Sequence, residues 1–147
     1  MSNYENRGVI LIFQAIYVVF FLQALLVFSI VLYALFSAGT KGFSILDWIK
    51  FLVITAKLAI LYFIIYNIGT QNKSIPKKIC IAAAAHGVTG IIFSLFFLDP
   101  LVNFPNFIFH NLWKPFTLSI MMHCLLFGIV YAFFNNSEKA KSFYKLT

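Results

Sequence analysis

The sequence predicts an all-α fold: an integral membrane four-helix bundle whose transmembrane helices run up and down through the bilayer. Three observations carry this expectation. Of 147 residues, 62% are hydrophobic, 19% aromatic and only 10% charged, whereas a soluble domain carries about 25% charged residues. Four apolar runs are each about 20 residues or longer, enough to cross a hydrocarbon core of about 30 Å. The residues left between them are too few for a soluble unit, so residues 1–147 read as a single polytopic membrane domain.

Each element follows from local pattern. Residues 1–8 are polar and carry Glu5 and Arg7. The first span, residues 9–36, far exceeds a signal-peptide core of about 7–15 residues, so it is expected to stay as an anchor. Gly39 and Gly42 break the chain after it. The second span, residues 45–68, opens on Asp47 and Trp48. A polar, basic loop over residues 69–78 leads to the third span, residues 79–98, which Asp99-Pro100 ends. Residues 99–115 mix Phe104, Phe107, Phe109 and Trp113 with Asn103, Asn106, His110 and Asn111. Aromatic rings beside polar groups favour the membrane interface, so this segment reads as an interfacial loop. The fourth span covers residues 116–134, and a polar tail follows.

Charge placement sets the expected orientation. Arg7, Lys73, Lys77, Lys78, Lys139, Lys141 and Lys145 fall on one side of a four-span chain, against Lys41, Lys50 and Lys114 on the other. Basic residues favour the inside, which puts both termini in the cytoplasm or the mitochondrial matrix. The expected location is therefore a bacterial cytoplasmic membrane or the mitochondrial inner membrane. The net charge of +7 does not point to nucleic acid. The cations sit in short loops and the tail and form no basic stripe. Cys80 starts the third span and Cys124 lies within the fourth, about 14 Å apart in depth. A disulfide needs Cα atoms within about 7 Å, so both read as small apolar fillers.

Lys57 sits at the centre of the second span. A lysine there costs about 2.5–3.5 kcal/mol on insertion scales, so it should face an interior, a cavity or a partner. Gln14 and Gln23 lie in the first span, His86 in the third and His123 in the fourth. Every span thus carries a strong hydrogen-bonding group, and convergence lets these groups satisfy one another. His86 is eight residues past Lys78, about 12 Å deep, and His123 twelve residues before Asn135, about 18 Å deep. Gln14 and Gln23 are nine residues apart and face opposite ways on a helix, so only one can join. Gln23 is the candidate. Ala82, Ala83, Gly87, Gly90 and Ser94 share the His86 side, and small residues mark a helix-packing face.

Three functions fit this pattern. The first is an accessory or anchor subunit of a larger membrane complex, or a homo-oligomer, in which another chain compensates Lys57. The second is electron transfer, b-type heme or quinone linked, with His86 and His123 as axial ligands. The third is transport of an anionic small molecule. Glu5, Asp47, Asp99 and Glu138 are all terminal or interfacial, which disfavours carboxylate-based cation coupling. No proline interrupts a span core, which disfavours a broken-helix transporter. No metal-ligand spacing, nucleotide-binding loop or serine-nucleophile motif is found, so no catalytic residue is assigned.

Overall fold

The computed structural model describes residues 2–38, 44–97 and 113–145. Five helices follow in order: α1 Ser2–Ala38, α2 Ile45–Ile68, α3 Ile75–Phe97, α4 Trp113–Asn136 and α5 Glu138–Tyr144. The first four are long and apolar enough to cross a membrane. The expected interfacial loop lies outside the described residues up to 112, as do Lys41, Asp99 and His110.

The second helix begins and ends where the sequence places it. Ser44 caps it: its hydroxyl accepts from the Asp47 N–H, and its own N–H donates to the Asp47 carboxylate. Two orphan donors of the first turn are thereby satisfied. The first helix extends back through the polar head to Ser2.

The third helix starts four residues before the expected position, at Ile75. Pro76 lies in its first turn, where a missing N–H costs no intrahelical bond. Lys77 and Lys78 suggest a loop by composition, and cations in a first turn oppose the helix dipole. They nevertheless form one exposed face of that turn, while Ile75 and Ile79 are buried beneath it. The fourth helix likewise starts early, at Trp113.

The tail is not wholly irregular. After Ser137 it forms α5, which buries Ala140, Phe143 and Tyr144. The phenol of Tyr144 donates to the Ile68 carbonyl at 2.6 Å. Ile68 ends α2, so that carbonyl has no partner further along its own helix. Burial pushes the Tyr144 phenol up from its ordinary value.

Among the described residues the core is densest near α5. Ile10, Phe13 and Tyr17 of α1 meet Ile64 and Ile68 of α2, Ile75 and Ile79 of α3, and Val130 and Phe134 of α4, with α5 against them. Phe13 joins α1 to α4, its ring 4.6 Å from Phe133 and 5.8 Å from Phe134. Gln14 ties α1 to α2 by donating from Nε2 to the Ile65 carbonyl at 3.1 Å. Between α3 and α4, Asn135 reaches the buried thiol of Cys80 at 3.9 Å. Cys80 and Cys124 are both free. Beyond Tyr17 the space between α1 and α4 is not filled by side chains, and a cavity begins there.

A polar cavity at mid-helix depth

The sequence contributes one polar group per helix to this cavity. Lys57 is twelve residues from the start of α2 and eleven from its end. His86 is eleven residues from either end of α3. His123 is ten residues from the start of α4 and thirteen from its end. Gln23 is sixteen and fourteen residues from the ends of the apolar stretch Arg7–Ser37 of α1. The earlier start of α3 removes the expected shallowness of His86, and all four fall in one layer.

The structure brings these four residues to the wall of one cavity of about 310 Å³. Phe20 of α1 and Met122, Leu125, Leu126 and Ile129 of α4 complete the lining. An apolar wall of this size with a few convergent polar groups is the common form of a small-molecule site. Gln14 faces elsewhere and is spent on the α2 backbone.

Lys57 is half-buried, and its Nζ lies 5.2 Å from the centroid of the Phe93 ring on α3. An ammonium over an aromatic face is worth about 0.5–2 kcal/mol, more when desolvated. That does not offset burial as a carboxylate would. Ion pairs among the described residues join Lys50 to Asp47 and Lys141 to Glu138, both at helix starts far from this layer.

His86 is 2% exposed. Its ring packs among Tyr17, Phe20 and His123, with centroids 6.2, 5.7 and 5.8 Å away. Among the described residues its Nδ1 has no hydrogen-bond partner, and neither has the buried Tyr17 hydroxyl. An unmade bond on a buried polar atom costs about 1–3 kcal/mol. The ring lines the cavity, but this nitrogen is itself enclosed.

His123 is held differently. Its Nδ1 lies 2.7 Å from the Ser119 carbonyl, which can only accept, so Nδ1 carries the proton. The Ser119 hydroxyl in turn meets Ser94 of α3 at 2.5 Å. On the other edge, a Cβ added to Gly90 would overlap Nε2, Cδ2 and Cε1 of the His123 ring. Gly90 is therefore the notch that seats His123 on α3. A heme between His86 and His123 does not fit this arrangement. One His123 nitrogen is bonded to its own helix and the other lies against the α3 backbone.

The cavity opens sideways. Met122, Leu125 and Ile129 line it and are also 58%, 60% and 50% exposed on the outer side of α4. Gln23 is exposed at the opposite edge, on α1. In a bundle crossing a bilayer, this mouth faces hydrocarbon.

The sequence singles out the four polar residues but not Phe20 or Phe93. A signal was present for each. Phe93 is seven residues after His86 and shares its face, and Phe20 is three residues before Gln23.

The fold is that of an all-helical chain with four helices long and apolar enough to cross a membrane, and a cavity lined by a lysine, a glutamine and two histidines lies at mid-helix depth. No family model matches the chain, and no curated protein or solved structure matches it.

Proposed function

We propose that this chain is an accessory or anchor subunit of a larger membrane complex, and that its cavity receives an anionic group from within the bilayer. In this reading the chain threads up and down through a bacterial cytoplasmic or mitochondrial inner membrane, with both termini on the cytoplasmic or matrix face. The carrying observation is the sideways-opening cavity around Lys57, lined by two histidines and a glutamine and by no carboxylate. A buried cation is retained when something compensates it. The described helices supply an aromatic face but no anion, so the anion comes from outside the bundle.

Purification from native membranes in mild detergent tests the subunit role. The expected result is an assembly larger than one 16.8 kDa chain, with partner chains or further copies that dissociate when Lys57 is replaced by methionine. A single small species, unchanged by Lys57→Met, overturns it.

One observation favours a second reading, binding or transport of an anionic small molecule: the cavity is ligand-sized and continuous with the outer surface of α4.

A further inference from the structure

We infer that the cavity binds the carboxylate of a single-chain amphiphilic acid, of the fatty-acid type, which enters from hydrocarbon between α1 and α4. The inference rests on the cavity being the working site, and it names the chemistry of the anion that site takes.

Charge and hydrogen bonding select the head. A carboxylate is an acceptor with about four lone-pair sites. Lys57 supplies an ammonium and Gln23 an amide N–H, and the His86 ring lines the same wall. Two kinds of donor from two helices thus face a place for one small anion. His123 is not needed as a donor, since its proton is bonded to Ser119.

Volume and shape select the tail. At about 30 Å³ per water-sized group, a cavity of about 310 Å³ holds about ten heavy atoms. That is a carboxylate and about seven methylenes. Met122, Leu125 and Ile129 then continue outward at spacings of three and four along α4. They form an apolar stripe about 10 Å long on which the rest of the chain can lie.

Depth selects a single chain over a phospholipid. Lys57 is eleven or twelve residues from either end of α2, about 16–18 Å along the helix. A phosphodiester headgroup carried on two chains would have to be drawn from the interface to that depth. A fatty acid brings only one compact polar group there.

The test uses the purified full-length protein in phosphatidylcholine nanodiscs, titrated with palmitate labelled with carbon-13 at the carboxyl group. The expected result is a distinct bound carboxyl resonance that saturates at one per chain. Lys57→Met should weaken binding about tenfold or more, and Lys57→Arg should retain it. Met122→Trp, which fills the mouth without touching the charge, should also weaken binding, so the inference stays testable if Lys57→Met fails to fold. Lys145→Gly, at the end of α5 and outside the cavity, should bind as the parent does. Hexadecanol should not compete. The inference is overturned by absence of a bound resonance, by unchanged binding in both Lys57→Met and Met122→Trp, or by displacement of palmitate by phosphatidic acid, which would assign the site to a phosphate headgroup. If palmitate fails while Lys57→Met still breaks a native assembly, the amphiphile is excluded and the partner supplies the acid. If palmitate binds and no assembly exists, the subunit role falls and the ligand stands.

Discussion

Gly90→Ala is the sharpest probe of how the cavity is built. A methyl group there would overlap three atoms of the His123 ring. The ring is the far end of a side chain, so it can swing away, but its Nδ1 is tied to the Ser119 carbonyl at 2.7 Å. Two costs then compete. Keeping the ring in place overpacks the interface, at about 1–3 kcal/mol. Moving it breaks the bond to Ser119, at about 0.6–1.7 kcal/mol in membrane interiors. The structure takes the cheaper route, so a loss of up to about 1.7 kcal/mol is expected. Reversible unfolding by dodecyl sulfate in mixed micelles can measure it. The decisive step is the double-mutant cycle with His123→Ala. Once the ring is gone the methyl group has room, and Gly90→Ala should become neutral or gain some of the helix preference of alanine over glycine. The coupling between the two sites should therefore be about 0.6–1.7 kcal/mol. Equal effects of Gly90→Ala in both backgrounds would show that His123 is not seated on Gly90, and the account of the α3–α4 contact would fail.

The other expectations concern the opposite end of the bundle. Tyr144→Phe leaves the Ile68 carbonyl without its donor and should loosen α5 by about 1–2 kcal/mol; faster tryptic cleavage at Lys139 and Lys141 would show it, and an unchanged cleavage rate would count against it. Because burial raises the Tyr144 phenol, the folded form holds its proton more tightly than the unfolded form. Its contribution is therefore complete below the ordinary value of 10.0 and falls as pH rises beyond it, so the tail should release in alkali in the parent but show no such step as Tyr144→Phe. Gln14→Leu removes one α1–α2 bond and should cost about 0.6 kcal/mol, read by the same detergent titration; a loss above about 2 kcal/mol would mean that Gln14 does more than the structure assigns it. Lys145 adopts a left-handed conformation at the end of α5, with φ of 56°. Lys145→Gly should therefore strengthen the α5 cap by up to about 1 kcal/mol, visible as slower cleavage of the tail.

The sequence made the four long helices legible because length and apolarity are local properties. The bounds of α2 were equally legible, since Ser44 and Asp47 form a capping box three residues apart. The start of α3 was not. Lys77 and Lys78 dominate the composition there, whereas the buried pair Ile75 and Ile79 is visible only when that turn is read at helical period. Helix α5 was hidden for a different reason. Its seven residues are too few to fold on propensity, and what holds it is tertiary: Phe143 and Tyr144 packed on helix ends distant in sequence. In the cavity, the sequence supplied polar residues and depth, but not azimuth. It set Gln14 and Gln23 on opposite faces and offered Gln23 as the candidate, but residue spacing alone does not turn that face toward Lys57. That depends on how α1 rolls against α2, which is fixed by contacts such as Gln14 to Ile65 and by Phe13 on Phe133 and Phe134.

The bonding between the described helices bears on the proposed site. In a bilayer, helices gain little from hiding apolar surface, and close packing with a few interhelical bonds holds them together. Among the described residues, such bonds lie on the α5 side of the Lys57 layer and at the Gly90 notch: Gln14 to Ile65, Asn135 to Cys80, Tyr144 to Ile68, and Ser94 to Ser119. Between α1 and α4 the structure is clamped below by Phe13 and left open above it, where the cavity lies. A bundle selected for stability alone would fill that gap with leucines and replace Lys57, since a well-packed apolar substitute for a buried charge is often neutral or stabilising. The gap and the lysine occur together, and the His86 ring lines the same wall. Each alone is a defect of packing; together they support the proposed site for something anionic and part apolar, which the described residues do not themselves supply.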